Sequence, residues 1–139
     1  MIIPLAVLAD AANTSSEAKL NILGVFNVIY AQRFPAVHSQ MQLVFSIEAT
    51  SAEAGAKRKL EIKLMTEDGR QLFSLVGELA IGTKTPTPVG TPLRSNHIIG
   101  LQNVKFEKPG AYQFAILIND DEKRTVPLWV QERQPTTPD

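Results

Sequence analysis

The fold of this chain is decided by residues 106–130, which read FEKPGAYQFAILINDDEKRTVPLWV. Pro109-Gly110 marks a turn. The apolar residues after this turn recur at every second position, which places them on one face of a β-strand: Tyr112, Phe114, Ile116 and Ile118. An acidic turn follows, and the alternation then resumes with Val126, Leu128 and Val130. Two alternating strands on either side of a short polar turn predict an antiparallel hairpin.

The first strand of this hairpin also indicates the kind of β-fold. A turn followed by Tyr-x-Phe-x-Ile, here residues 112–116, is typical of the penultimate strand of an immunoglobulin-like sandwich, in which a buried tyrosine ties a corner to the sheet. About eight strands with regular turn signals, and no helix longer than one or two turns, are predicted along the chain. We therefore predict an all-β fold, an immunoglobulin-like antiparallel sandwich of two sheets.

The strands before residue 106 are marked with different clarity. The clearest lies at 59–64, and Asp68-Gly69 then supplies the positive φ of a hairpin turn into a partner strand at 72–81. Residues 19–30 are apolar on both faces, which indicates a central strand or one that changes sheets, with a bulge or bend at Gly24. Further strands are predicted at 2–8, 41–48 and 96–102. The strand at 41–48 should be half-buried, because its odd-numbered apolar residues alternate with Gln42, Val44, Ser46 and Glu48.

The connections between these strands are predicted at 10–18, 32–40 and 82–95. Capping-box sequences at 14–17 and 50–53 each predict a single helical turn. The segment 82–95 should be extended and outside the core, because its prolines cannot donate to a ladder: Pro86, Pro88 and Pro92. Residues 1–131 are expected to form one domain, followed by a disordered tail at 132–139.

The composition restricts the class of protein. The chain has 139 residues with 44% hydrophobic content, as expected for one globular domain. Its 14 basic and 14 acidic residues give no net charge, which argues against nucleic-acid binding. No run of residues is long and apolar enough for a membrane span. The absence of cysteine fits a reducing compartment, and the apolar start of the chain lacks the charged region of a secretion signal, so we expect a cytoplasmic protein.

The residues that usually carry catalysis form no recognisable motif. The two histidines, His38 and His97, have no second ligand at a metal-binding spacing, and the sequence contains no nucleophile elbow and no glycine-rich phosphate loop. We therefore expect a protein without enzymatic activity, cofactor or metal. An enzyme would need Asp10, Lys19 and one of the histidines to converge in a cleft.

The best interface candidate is Trp129, the single tryptophan of the chain. Its parity is opposite to that of its apolar neighbours on the last strand, so it should point away from the core and form an interaction surface. The alternative is that the proline-rich segment or the tail covers its ring. Pro86, Pro88 and Pro92 are further interface candidates, because an extended segment suits an edge strand or a neighbouring subunit.

Several short motifs of the chain, taken in order, resemble those of a family of small bacterial proteins known only as a domain of unknown function. They are LAD at 8–10, KLNILGVF at 19–26, FPAVH at 34–38, MQLV at 41–44, AEAG at 52–55, EDG at 67–69 and PGAYQF at 109–114. The resemblance implies a cytoplasmic β-sandwich without an assigned activity. The resemblance also singles out three polar residues beside early strands: Asp10, Lys19 and His38. The simpler interpretation is a structural cluster of polar groups that joins the strand ends, and the alternative is a binding site.

Two functions remain open from the sequence. The first is a non-catalytic module that binds a protein partner or associates with itself as a homo-oligomer. The second is a binder of small ligands or carbohydrates that uses the loops at one end of the sandwich, where Phe34 and Tyr30 offer aromatic surface.

Overall fold

The computed structural model of the protein describes residues 1–82, 88 and 90–134, and these contain nine β-strands and one 3-10 turn at Ser51–Glu53. No helix in these ranges is long and apolar enough to cross a membrane. The strands are β1 Ile2–Thr14, β2 Leu20–Phe26, β3 Val28–Ala31, β4 Ala36–Ala49, β5 Arg58–Thr66, β6 Gln71–Leu79, β7 Leu93–Phe106, β8 Gly110–Ile118 and β9 Asp121–Glu132.

The strands form two sheets that pack face to face, in the orders β2-β1-β4-β7 and β3-β9-β8-β5-β6. Neighbouring strands are antiparallel except β3 and β9, which run parallel. In immunoglobulin nomenclature β1, β4 and β7 take the places of strands A, B and E, and β6, β5, β8 and β9 those of C′, C, F and G. The prediction of an all-β, immunoglobulin-like sandwich is confirmed.

The core lies between the sheets and consists of the residues that the alternation placed on the inner faces. Its largest fully buried side chains are Phe45, Phe106 and Phe114. At one end the Tyr112 ring packs edge-to-face on Phe106, with 4.9 Å between the ring centroids. The Tyr112 hydroxyl donates a hydrogen bond of 2.6 Å to the carbonyl of Lys108, and burial raises the pKa of this hydroxyl. The predicted tyrosine corner is therefore present.

Residues 19–30 do change sheets, which is one of the two alternatives that the sequence left open. β2 pairs with β1 in the first sheet, and after Asn27 the chain pairs as β3 with β9 in the second. This crossing explains why Ile29 is buried although its parity differs from that of Leu20 and Ile22, and why nine strands are observed where about eight were predicted; Leu23 and Val25 remain exposed. The backbone N–H of Trp129 donates to the Asn27 carbonyl at 2.8 Å, which fastens the crossing to β9.

The prediction of a loop at 10–18 is wrong, because β1 continues to Thr14 and forms a hairpin with β2. Backbone pairing can accommodate the small polar side chains of this stretch, which carry no alternation that would mark a strand. The helical turn predicted at 14–17 is also absent: Ser15 instead closes the hairpin by bonding from its N–H to the Lys19 carbonyl at 2.8 Å. Gly24, with φ +72°, supplies the predicted bend, and its missing side chain makes room for Asp10.

This first hairpin folds back over the outer face of the four-stranded sheet. In the sheet register, Leu5, Ser46 and Asn96 lie side by side on β1, β4 and β7. The Asn96 side-chain amide donates to the Ala18 carbonyl at 3.1 Å, so the tip of the hairpin reaches this row. A straight strand would carry Thr14 about 30 Å beyond Leu5, since strands rise ~3.3 Å per residue. The strand pair must therefore double back.

The folded hairpin gives the outer face a small second apolar layer. Val44 points away from the main core, yet it is completely buried, and its neighbour Ser46 is also buried. The prediction that β4 is half-buried is thus wrong for these two positions, because the sequence alone did not reveal the cover. The structure also begins β4 at Ala36 and β7 at Leu93, inside the connections predicted at 32–40 and 82–95.

The second capping box is confirmed. The Glu53 carboxylate accepts a hydrogen bond of 2.9 Å from the Thr50 N–H, and it receives the amino-terminal ammonium group of Met1 at 2.7 Å. The hydrogen bond from the ammonium group, followed by that from Thr50, lowers the pKa of Glu53 to about 2 from its ordinary value of 4.5.

Acid should remove the stabilisation that Glu53 provides. A carboxyl group whose pKa is lower in the folded chain stabilises the fold above its unfolded pKa of 4.5, and this contribution is lost as the pH falls towards 2. We expect Glu53→Gln to melt below the unaltered chain at pH 7, with the difference shrinking steadily between pH 5 and pH 2. Circular dichroism melts across this range measure it, on chains that begin at Met1. A constant difference would contradict the assignment.

Candidate interaction surface around Trp129

Trp129 points away from the core, as its parity predicted. Val126, Leu128 and Val130 are buried between the sheets, whereas 41% of Trp129 remains exposed to solvent among the described residues. β9 lies between β3 and β8, so the backbone of Trp129 is paired on both sides. The indole is therefore presented by a rigid inner strand rather than by a loop.

A shallow groove of about 390 Å³ lies beside the indole on the outer face of the five-stranded sheet. Its floor follows from the register, which places Ala111 beside Trp129, Gln113 beside Pro127, and Met65 beside Gln113. The turn at 66–69 forms its rim. We call these five side chains the tryptophan surface: Trp129, Pro127, Ala111, Gln113 and Met65.

A second exposed aromatic ring continues the same face. Val28 is paired with Trp129, and Tyr30 lies two residues further along β3 on the same side of the sheet. Tyr30 is 53% exposed, and the Arg133 guanidinium carbon lies 4.6 Å from the centre of its ring. This arrangement is a cation–π contact, and it places a positive charge at the margin of the tryptophan surface.

The opposite margin carries charges of both signs. A hydrogen bond from the Thr66 hydroxyl, more than any other contact, lowers the pKa of Asp68 in the turn at 66–69, and the cations of Lys108 and Arg70 act in the same direction. Asp68 is therefore ionised at neutral pH, and Glu67 lines the groove next to it. The apolar centre of the surface thus lies between a basic margin at Arg133 and a turn whose two carboxylates are accompanied by the cations of Arg70 and Lys108.

The proline candidates lie elsewhere or outside the described part of the chain. Pro86 belongs to the segment 83–87, which is not among the described residues. The alternative that the proline-rich segment covers Trp129 therefore stays a prediction. Pro88 and Pro92 are exposed. Pro92 lines a separate depression of about 260 Å³ together with Ile2, Thr50 and Thr91. The prediction of a disordered tail likewise rests mostly on residues 135–139, which are not described.

No hydrogen bond or ion pair connects any two of the polar candidates Asp10, Lys19 and His38. Asp10 lies against Gly24 in the hairpin, whereas Lys19 pairs with Glu17 at 3.0 Å near the tip. Asp10 is four residues from Thr14, the partner of Leu20, so about 13 Å of strand separates it from the tip. The His38 ring packs against Phe26, with 5.9 Å between the ring centroids.

The two histidines also lie apart. His97 is paired with Phe45 and His38 with Val104, so seven residues of β4, about 23 Å, separate the two positions. The His97 ring stacks on Phe45, its Nε2 lies 2.7 Å from the Ser95 hydroxyl, and burial lowers its pKa. Within residues 1–82, 88 and 90–134, no three metal-ligating side chains come together.

Trp129 was predicted from the sequence, whereas the neighbours that shape its surface were not. Pro127 shares the parity of Trp129, and Gln113 shares that of Ala111, so the alternation that located the core also identifies these outward positions. Met65 is identified in the same way, because it follows the inward Leu64 on β5 and the register of β5 with β8 is unbroken there.

Comparisons with known proteins address the family of this chain rather than its activity. A search of curated proteins gives no match. Among solved structures, the chain matches the Pseudomonas fluorescens alkylpurine DNA glycosylase AlkC bound to DNA containing an abasic site analog, with 16% identity and a TM-score of 0.43. The match covers 76% of this chain and 27% of the glycosylase chain, and it carries no argument about function. A family model described as a family of unknown function (DUF6941) matches residues 4–131, and the chain belongs to this family.

Proposed function

We propose that this protein is a non-catalytic interaction module that binds a protein surface, a second copy of itself first of all, through the tryptophan surface. The observation that carries the proposal is the exposed indole of Trp129 at the centre of an open sheet face. The proposal includes a place in the cytoplasm of a bacterium, with neither nucleic acid nor membrane as the partner. The absence of cysteine fits a reducing compartment, and the balanced net charge argues against nucleic acid.

The physical reason is the free energy of hydrating a large apolar ring. An aromatic side chain buries about 150–250 Å² when it is covered, and tryptophan and tyrosine are the residues that most often dominate binding energy at interfaces. Trp129 is held rigidly by pairing on both sides, so covering it costs little conformational entropy.

The proposal is tested by Trp129→Ser. We expect the unaltered chain to associate. The substitution should raise the dissociation constant by about 30-fold or more, as for a residue that dominates an interface. Light scattering coupled to size-exclusion chromatography measures the association over a range of concentrations. Because Trp129 is the only tryptophan, its fluorescence should also shift to shorter wavelength as the concentration rises.

Val76→Ser is the matched control. Val76 is 64% exposed on β6, an edge strand of the same sheet. If this control removes the association and Trp129→Ser leaves it unchanged, the sheet edge is the interface. The tryptophan surface would then not be the binding site, and the proposal would be wrong.

A second candidate function is the binding of a small ligand or carbohydrate in the same groove. The groove of about 390 Å³ favours it, because the flat exposed ring of Trp129 lies there beside Gln113 and Glu67. Ligand-binding sites typically combine apolar surface with a few polar groups. Titration with a panel of sugars distinguishes it, because a bound sugar must change the emission of Trp129. Saturable quenching by a sugar in a chain that stays monomeric would favour this function over the first.

A further inference from the structure

The hydroxyl group of Ser46 is buried without a hydrogen-bond partner among the described residues. Ser46 is the one buried polar side chain of the described chain, with 2% exposure, and it lies on the outer face of β4 under the folded-back first hairpin. A buried hydroxyl that makes no hydrogen bond is destabilising, and such a group in a folded protein is explained by strain, by a functional role or by a bound water or ion. The position of Ser46 therefore requires an explanation.

Ser46 is among the residues that line a groove of about 450 Å³ between the sheet and the tip of the hairpin, and its hydroxyl lies beneath the surface of this groove. This volume lies within the range of small-molecule sites. Pro4, Leu5 and Leu20 supply apolar walls, and the polar lining consists of Ser46, Asn96, Lys19 and Arg94. The lining thus contains two cations and no carboxylate, although the chain as a whole has no net charge.

Each cation is held by one glutamate that a ligand could displace. Arg94 pairs with Glu48 through a single nitrogen at 3.2 Å, and Lys19 pairs with Glu17 at 3.0 Å, and all of these contacts are at the surface. Exposed ion pairs of this kind contribute little to stability, so an incoming anion can compete with them. A guanidinium group also has five N–H donors in a planar fork, most of which the Glu48 contact leaves unused.

We propose that this groove binds an oxyanion, the carboxylate or phosphate group of a small molecule. In this site the hairpin tip moves aside enough for the Ser46 hydroxyl, which is sealed from solvent in the unliganded protein, to donate to one oxygen of the ligand. Asn96 uses one N–H of its amide to hold the Ala18 carbonyl, and the second N–H donates to the ligand. Arg94 supplies a charged fork for two oxygens, and Lys19 adds a second positive charge from the hairpin tip.

The site depends on the folded-back hairpin, because Lys19, Ala18 and Leu20 reach the groove only from its tip. It lies on the four-stranded sheet, whereas Trp129 belongs to the five-stranded sheet. The two proposals are therefore independent, and either can fail without the other.

Sodium phosphate and sodium acetate are the probes, titrated separately at constant ionic strength and pH 7.5. We expect saturable shifts of the backbone amide signals of Ala18, Ser46 and Asn96 in two-dimensional NMR spectra. The probe that saturates at the lower concentration identifies the preferred oxyanion. No selective shift with either probe at these three amides would overturn the proposal.

Arg94→Gln should weaken this binding at least about tenfold, since it removes a charge-assisted hydrogen bond. The matched control is Lys105→Gln on the same strand, where Lys105 pairs with Glu107 at 3.5 Å and does not line the groove. Equal loss of binding in both variants would mean a general response to surface charge, and the proposal would be wrong.

Ser46→Ala separates binding from folding. We expect it to weaken phosphate or acetate binding several-fold, while its melting temperature without ligand stays the same or rises, because an unpaired buried hydroxyl is removed. A lower melting temperature with unchanged binding would show that the hydroxyl serves the fold alone, which contradicts its role in the site.

Discussion

Val44→Asp is expected to lower the free energy of unfolding by more than about 3 kcal/mol, enough to unfold much of the protein. Val44 points away from the main core, but the first hairpin covers it completely, with no exposed fraction. Its lateral neighbours in the sheet are Val7 and Ile98, which offer no partner for a carboxylate. A buried charge without a partner is among the most destabilising changes that one substitution can make.

Val37→Asp provides the matched control on the same strand with the same change of side chain. Val37 is 59% exposed, so its carboxylate would remain in water, and we expect an effect within about 0.5 kcal/mol. Urea denaturation of both variants measures the difference. If the two substitutions are equally mild, the hairpin does not cover the outer face in solution.

Phe106→Ala should destabilise the protein by about 3–5 kcal/mol, the usual range for removing a buried phenylalanine ring. Phe106 is fully buried, and its ring supports Tyr112 at an interplanar angle of 75°. The substitution therefore leaves a cavity and also loosens the corner that the Tyr112 hydroxyl closes on Lys108.

Tyr112→Phe divides this effect into its parts. It keeps the ring contact with Phe106 and removes only the hydroxyl, so we expect a loss of about 1–2 kcal/mol, which is the range for a hydrogen bond whose acceptor is left partly buried. Urea denaturation gives both values. A larger loss for Tyr112→Phe than for Phe106→Ala would contradict the view that ring packing dominates this corner.

The sequence predicted those parts of the fold in which one face of a strand is buried and the other is wet. Tyr112 to Ile118 and Leu60 to Leu64 alternate cleanly, and Asp68-Gly69 fits only a tight turn, so both hairpins of the second sheet were predictable. The first hairpin was not, because Asp10 to Thr14 are small or polar on both faces. Val44 was misjudged for the same reason: its cover comes from a segment with no pattern of its own.

The candidate surfaces differ in the same way. Parity alone predicted that Trp129 faces outwards, since this depends only on the strand that carries it. The proposed oxyanion groove combines residues of four segments, and the folded-back hairpin places Lys19 beside Ser46 of β4 and Arg94 of β7. Such a site depends on how far a hairpin folds back, and no local pattern encodes that distance. Lys19 was noticed, but for a pairing with Asp10 and His38 that the structure does not show.

The parallel pairing of β3 with β9 has a consequence for the order of events during protein synthesis. Val28 is paired with Trp129, which the ribosome adds about one hundred residues later. At translation rates of ~5–20 residues per second, Val28 and Tyr30 therefore wait roughly 5–20 seconds for the strand against which they pack. The first sheet can close once β7 has emerged, whereas the face that carries both exposed aromatic rings forms last. A partner that recognises this face would therefore not bind the nascent chain, and would bind only molecules whose second sheet is already assembled.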